Sequence, residues 1–223
     1  MVSTSLCGDG YALAAQSGNM ANIAMLSWQA DGPLGSPITK QAGHRTGAWR
    51  DLETLVALAP DTLLLGPGER IDAALLPGTE VVALDWVEDV EGINANLAKL
   101  GAEPLRIDAM PPAKRVLYLS RAGGTAGTGT YVDAAIRLAG GTNIVDRPGW
   151  FTPDPEWVVA QDPDVVVTSF FGGYESVNAS GLRNRAVAEF IADTPRIDVP
   201  GRLWPCGGPG LAEAVDIIKK GLE

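Results

Sequence analysis

One stretch of this chain recurs with its polar and apolar residues in the same order. Residues 51–65 align with residues 154–168, and the two copies share Asp, Glu, Val, Ala, Pro and Asp at matching positions. Each copy predicts a cap at Asp51 or Asp154 that accepts the free first-turn amides, then a short helix, a Pro-Asp stop and a strand. The strand segments lack polar alternation, which is typical of parallel strands covered on both faces. The repeat therefore predicts two similar α/β halves.

Strand and helix patterns alternate through both halves. In the first half we predict strands at 2–6, 23–27, 61–65 and 80–85, and helices at 9–16, 51–58 and 70–76. In the second half we predict strands at 115–120, 165–167 and 202–204, and helices at 129–138, 185–192 and 211–222, together with the short helix of the repeat after Asp154. This alternation favours two parallel sheets with right-handed crossovers.

The stretch 87–101 separates the two halves. Its apolar residues recur at helical spacing, and the pattern stops at Gly101, as a helix does at a glycine. We therefore predict an N-terminal α/β lobe over 1–86, a connecting helix and linker over 87–112, and a C-terminal α/β lobe over 113–223.

Composition narrows the range of partners. The chain has 223 residues, 46% of them hydrophobic, which is enough for a sizeable core. Its net charge of −10 argues against nucleic acid and anionic lipid as partners. No apolar run approaches the roughly 20 residues that span a bilayer, and no basic leader precedes an apolar stretch. The sequence leaves open a cytoplasmic protein or one whose leader has been removed.

Aromatic residues cluster where a parallel α/β sheet would bind a ligand, beyond the carboxyl ends of its strands. Taken singly, each is more often a cap on the core than a ligand contact. As a set they indicate a wide apolar cleft, and arginines in the same loops suit anionic groups of a ligand. The predicted ligand-binding residues are Trp28, Trp49, Arg50, Trp86, Arg121, Trp150, Phe151, Phe171 and Tyr174.

Signals for catalysis or a metal are weak. The Gly-rich stretch 123–130 lies between a predicted strand and helix, as a phosphate-binding loop would, but matches neither the dinucleotide nor the Walker spacing. His44 is the single histidine, so a histidine-rich metal site cannot be assembled. We expect no catalytic residue, no metal and no cofactor. The alternative is a two-lobed α/β enzyme that acts on a small anionic substrate.

The two cysteines, Cys7 and Cys206, both follow predicted strands. They are too few for a zinc site or a disulfide scaffold, and buried inert thiols are the commoner case. A bridge between lobes would also hinder their opening. Two free thiols are therefore the expectation, and a disulfide is the alternative.

The chain resembles the substrate-binding proteins of ABC importers for cobalamin and ferric siderophores. The resemblance extends over nearly the whole chain, in motifs at 3–9, 52–61, 139–145, 155–167 and 203–207. It implies the class III periplasmic binding protein fold, in which a single rigid helix joins two α/β lobes. The segment between 101 and 115 is shorter than the family usually has, so a helix after the connecting one is expected to be missing.

The same resemblance implies a function. It implies a monomeric, non-enzymatic receptor in the periplasm that captures a ferric siderophore or cobalamin and delivers it to a membrane permease. Haem is an alternative, with Tyr174 or His44 as conceivable axial ligands. Glu53 and Glu156 occupy the positions at which the family's glutamates dock onto permease arginines. Helix physics alone would make both only first-turn carboxylates favoured by the helix dipole.

Overall fold

The computed structural model describes residues 1–16, 20–31, 46–48, 51–169, 184–204 and 206–223. By its contacts the chain divides into two compact units. The first contains Met1–Leu105 and Pro205–Pro209, and the second contains Arg106–Trp204 and Gly210–Glu223. The chain thus returns to the first unit near its end before finishing in the second. The lobe boundaries at 86 and 112 stay a prediction.

The first unit is built on short parallel strands. They are β1 (Val2–Ser3), β2 (Leu26–Ser27), β3 (Thr46–Ala48), β4 (Thr62–Leu65) and β5 (Glu80–Ala83). β4 lies between β1 and β5, β2 pairs with β3, and a bridge between Val2 and Met25 joins the two groups. The central place of β4 agrees with its uninterrupted apolar sequence.

Among the described residues of this unit, three α-helices accompany these strands: α1 (Leu6–Ala15), α2 (Leu52–Leu58) and α3 (Val90–Lys99). The strand predicted at 2–6 ends at Ser3 because Ser5 already caps α1 and accepts a hydrogen bond from the N–H of Gly8. The helix predicted at 70–76 is wrong. Asp72 caps only a single 3₁₀ turn there, Ala73–Leu75, since Pro77 follows at once and stops a helix.

The second unit has a longer parallel sheet and a separate ribbon. Its strands are β6 (Lys114–Ser120), β7 (Thr125–Ala126), β8 (Gly141–Asn143), β9 (Trp150–Phe151), β10 (Val165–Ser169) and β11 (Arg196–Val199). The sheet runs β11-β10-β6-β8 with all pairs parallel, while β7 and β9 form an antiparallel ribbon. The parallel sheet places β10 between two neighbours, as β4 is in the first unit.

The helices of the second unit are α4 (Tyr131–Leu138), α5 (Pro155–Val159), α6 (Arg185–Asp193) and α7 (Leu211–Leu222). The strand predicted at 202–204 is wrong, because Gly201–Leu203 forms a 3₁₀ turn. The last strand is instead β11, whose residues alternate between exposed and buried as expected of an edge strand.

Each unit has its own apolar core. Leu55 from α2 packs with the strands of the first unit, and Val158 from α5 packs with those of the second. Residues 101–113 form neither helix nor strand, which agrees with the missing helix expected there. Within the described ranges, no helix is long and apolar enough to cross a membrane.

Candidate functional site

Polar side chains link the loops at the carboxyl ends of the first unit's strands. The carboxylate of Glu69, after β4, accepts hydrogen bonds from the hydroxyl of Thr4 and from the N–H of Gly66. The N–H of Leu6 donates to Gln29 Oε1 at 3.1 Å, which joins the loops after β1 and β2. This edge is therefore a connected framework rather than a set of independent loops.

A buried carboxylate holds β2 against α1. Asp9 is fully buried, and it accepts hydrogen bonds from the N–H of Ser27 at 2.9 Å and from the Ser27 hydroxyl at 2.6 Å. Burial raises the pKa of Asp9, against the lowering effect of hydrogen bonds from Ser27 and Ser3. The residue after this strand end is the predicted ligand contact Trp28, whose side chain is half exposed.

In the second unit, a backbone hydrogen bond and a cluster of aromatic rings lie near the carboxyl ends of β6 and β10. The N–H of Arg121, directly after β6, donates to the carbonyl of Ser169 at 3.1 Å and so joins the ends of β6 and β10. Tyr118 packs edge-on against Trp150 and Trp204, with ring centroids 6.0 Å and 5.8 Å apart. Burial raises the pKa of Tyr118 above its usual range, although a hydrogen bond with Ser169 lowers it. Trp150 extends this aromatic cluster to the surface, where half of its side chain is exposed.

The Gly-rich stretch 123–130 packs closely against the neighbouring backbone of the second unit. It contains β7, which pairs with β9, and the N–H of Gly127 donates to the carbonyl of Gly149 at 2.9 Å. A Cβ on Gly127 would lie 1.6 Å from the carbonyl oxygen of Arg147, so only glycine permits this approach. Gly127 therefore serves chain packing.

Arg147 is a candidate that the sequence analysis missed. Its guanidinium lies 4.2 Å from the ring centroid of Phe151, within the range of a cation–π contact. Phe151 in turn packs on the core of the second unit. A signal was available in the sequence, namely an arginine four residues before an aromatic residue at a predicted ligand edge. This signal was not used because the ribbon of β7 and β9, which brings Arg147 and Phe151 together, was not predicted.

The predicted docking residues Glu53 and Glu156 are both exposed, in the first turns of α2 and α5. One turn further along each helix is an exposed valine, Val56 at 52% and Val159 at 40%. The repeat aligns these valines as it aligns the glutamates, and residues three apart share a helix face. Each unit thus carries the same acidic and apolar pair on its surface.

The two helix caps differ, which corrects one prediction. Asp51 accepts hydrogen bonds from the N–H groups of Glu53 and Thr54 and, at 2.7 Å, from the Thr54 hydroxyl. Asp154 makes no capping hydrogen bond with its side chain. Pro155 at the first position of α5 lacks an N–H, so this helix begins with one fewer donor to satisfy.

The two cysteines are bonded to each other, so the expectation of free thiols was wrong. Cys7 and Cys206 form a disulfide with their Cα atoms 5.4 Å apart. Both belong to the first unit, because the segment around Cys206 returns to it. The objection that a bridge would join two lobes therefore does not apply.

The structure distributes the predicted ligand residues over both units. Trp28 and Trp86 lie in the first unit, and Arg121, Trp150 and Phe151 lie in the second. That they line one cleft stays a prediction. The remaining candidates fall outside the described residues: Trp49, Arg50, Phe171, Tyr174 and His44. In the part of the chain that is described, no three His, Cys, Asp or Glu side chains group as a metal site requires.

Comparison with known structures defines the fold. No protein-family profile matches the chain. A periplasmic heme-binding protein from Pseudomonas aeruginosa matches with a TM-score of 0.64 and 20% identity, over 98% of this chain and 90% of that one. The periplasmic vitamin B12-binding protein BtuF of Vibrio cholerae matches with a TM-score of 0.62 and 18% identity, over 99% and 95%. The predicted class III periplasmic binding protein fold is thereby confirmed.

Part of the sequence also matches a curated relative. Over 83 residues, or 34% of this chain, it is 40% identical to a cobalamin-binding protein of Halobacterium salinarum. The match covers 22% of that protein, so the chain spans about a fifth of the length of the curated relatives it matches.

Proposed function

We propose that this protein is a non-enzymatic solute receptor that captures a large ring-shaped or chelated ligand and delivers it to an ABC importer in the membrane. The observation that carries the proposal is the class III fold, because the structures that match it over nearly their whole length are named as binding proteins. Exposed tryptophans near the strand ends support the same function, because burying their apolar surface against a ligand would stabilise the complex.

Cobalamin is the first ligand to test. The partial match to a cobalamin-binding relative favours it, and the half-exposed indoles of Trp28 and Trp150 suit a wide apolar ring. A ferric siderophore makes similar demands, with Arg121 suited to an anionic chelate. Haem is an alternative to both, because a matched structure is that of a heme-binding protein.

The cellular setting follows from the same proposal. Disulfides persist in oxidising compartments, so the bond between Cys7 and Cys206 supports a periplasmic or other extracytoplasmic site of action. Exposed Glu53 and Glu156, one in each unit, then serve as contacts for basic residues of the permease.

Fluorescence titration tests the proposal on the isolated protein. Cyanocobalamin, haemin and ferrichrome are added in turn, and quenching of tryptophan emission is recorded together with the unfolding temperature. One of these ligands should quench saturably and raise the stability, by about 2.7 kcal/mol at a hundred times its dissociation constant. Absence of both responses for all three would overturn the proposal.

A further inference from the structure

Trp86 combines a very exposed side chain with a tightly held backbone. Its side chain is 65% exposed, the highest value among the large apolar residues exposed in the described structure. It directly follows Asp85, at the carboxyl end of the first unit's sheet, and precedes α3. An apolar side chain left in water on a mobile loop would be unremarkable, but this loop is fixed on both sides of the tryptophan.

Asn96 fixes the residue before Trp86. Its side chain is fully buried in α3, where Oδ1 accepts from the N–H of Asp85 at 2.9 Å and Nδ2 donates to the Asp85 carbonyl at 2.9 Å. The ammonium group of Lys99 adds a bond to the Asp85 carboxylate at 2.8 Å. Both backbone groups of Asp85 are therefore committed to one buried amide.

Gly207 fixes the residue after Trp86. A Cβ on Gly207 would lie 1.8 Å from the carbonyl oxygen of Val87, so the two backbones are in direct contact. Gly207 is distant in sequence and reaches this place only because its segment returns to the first unit. Its position therefore limits how far the Val87 backbone can move toward it.

The disulfide and one tyrosine hold Gly207 in place. Cys206, the preceding residue, is bonded to Cys7 at the start of α1. The hydroxyl of Tyr11, one turn further along α1, donates to the Gly207 carbonyl at 3.0 Å and receives a bond from Asn96 Nδ2 at 3.4 Å. Tyr11 is itself buried, so it joins the two supports of Trp86 into a single network.

We propose that the Cys7–Cys206 disulfide, with Tyr11 and Asn96, positions Trp86 as a rigid aromatic anchor for the flat face of the ligand. This inference rests on the proposed function. The indole itself is restrained by its N–H, which donates to Glu88 Oε1 at 2.8 Å. An indole held in this way loses less conformational freedom when a ring stacks on it, so a preorganised anchor raises affinity without any added contact. The disulfide thus acts on binding through Trp86 and not only on the stability of the fold.

The test is a double-mutant cycle on the whole protein. The ligand is whichever of cyanocobalamin, haemin and ferrichrome binds the unmodified protein, and its dissociation constant is measured by tryptophan quenching or calorimetry. Replacing Cys7→Ser together with Cys206→Ser should weaken binding roughly three- to ten-fold, as expected for freeing one ordered side chain. In a Trp86→Ala background the same two changes should have almost no further effect, because the group they position is gone.

Two controls separate this role from general destabilisation. Leu55→Ala opens the same unit's core away from the network, so it should lower the unfolding temperature and leave affinity unchanged. Tyr11→Phe keeps the disulfide and the ring but loses the bond to Gly207, so it should reproduce part of the affinity loss even if the cysteine variant does not fold. Equal losses of affinity with and without Trp86 would overturn the proposal, as would unchanged affinity in the cysteine and tyrosine variants. If the unmodified protein binds none of the three ligands, the proposed function fails instead.

Discussion

The two units place the repeated sequence in the same position and surround it differently. In the first unit β4 lies between β1 and β5, and in the second β10 lies between β6 and β11, with all pairs parallel. The strand before the repeated helix differs, since β3 pairs parallel with β2 whereas β9 pairs antiparallel with β7. The repeat therefore preserves the pairing of β4 and β10, while the strand before the repeated helix differs between the units.

A second correspondence is invisible in the aligned sequences. Asp9 in α1 accepts hydrogen bonds from Ser27 at the end of β2. Asp133 in α4 accepts a hydrogen bond from Asn143 at the end of β8, at 3.1 Å. Both aspartates are buried, and each fastens the first helix of its unit to a neighbouring strand. The same mechanical link is thus made with different partners in the two units.

The largest expected effect concerns the matched glutamates. Replacing Glu53→Lys together with Glu156→Lys should abolish ligand uptake by cells that carry the cognate importer, because two like-charged contacts with a basic permease cost several kcal/mol. Ligand affinity of the purified protein should stay within a few-fold of the original. Single replacements should cause partial loss, which would show that the two units contribute comparably.

Uptake at the normal level in the double variant would contradict the docking role. Loss of ligand binding in the purified variant would contradict it as well, since these residues would then belong to the binding edge. In either case the helix-dipole interpretation of Glu53 and Glu156 would be restored.

The buried aspartates give the next largest effect. Asp9→Ala and Asp133→Ala should each lower the free energy of unfolding by about 1–3 kcal/mol, because a donor on the neighbouring strand loses its buried acceptor. Denaturant unfolding of the two variants measures both values under the same conditions. A large loss for one aspartate and none for the other would break the correspondence between the units.

Asp9 also predicts a dependence on pH. Because burial raises its pKa above 3.8 in the folded protein, the folded state holds this proton more tightly than the unfolded chain does. The contribution of Asp9 to stability is therefore greatest below pH 3.8 and falls as the pH rises through the folded pKa. Asp9→Asn removes this titratable group. The free energy of unfolding of the unmodified protein, relative to that of the variant, should therefore fall as the pH rises from 3.8 through the folded pKa of Asp9.

The sequence was sufficient where the signal is local and repeated. The repeat predicted β4, β10 and the helices before them, and the apolar periodicity predicted α7 with its observed bounds. The two-residue strands β7 and β9 were not predicted, because each is too short to show alternation. The prediction also failed at 202–204, where Pro200 separates β11 from a turn.

For the candidate site too, local features could be predicted from the sequence and long-range contacts could not. Trp86 is predicted as a ligand contact because it directly follows a strand pattern, and that role stays a prediction. The close approach of Gly207 to Val87, its neighbour, could not be foreseen because Gly207 is remote in sequence. The disulfide was missed for the same reason, since nothing local shows that Cys206 returns to the first unit. Arg147 became a candidate only when the ribbon placed it over Phe151. Sequence reasoning thus finds residues at strand ends and misses what long-range contacts do to them.

A smaller effect is expected for the matched valines. Val56→Ser together with Val159→Ser should weaken association with the permease by about 1–2 kcal/mol, because each removes apolar surface that the contact would bury. Leu75→Ser is the matched control, since Leu75 is similarly exposed, at 48%, but lies outside the repeat. Pull-down of detergent-solubilised permease measures the difference. Equal effects of the control and the valine pair would show that the valines have no special role.

The smallest effect distinguishes the two caps themselves. Asp51→Ala should lower the unfolding temperature by roughly 2–4 °C, as expected for the loss of one helix cap in a protein of this size. Asp154→Ala should change it much less, because that side chain makes no capping bond.

Hydrogen bonds from the Thr54 hydroxyl and from the N–H groups of Glu53 and Thr54 hold the pKa of Asp51 below 3.8, so its capping contribution is present above that value and is lost as the pH falls through the folded pKa. Thermal unfolding at neutral and acidic pH should therefore show a difference between the two variants that shrinks in acid. Equal changes at neutral pH would mean that the repeated aspartates act alike after all, and that Pro155 does not relieve α5 of its need for a cap.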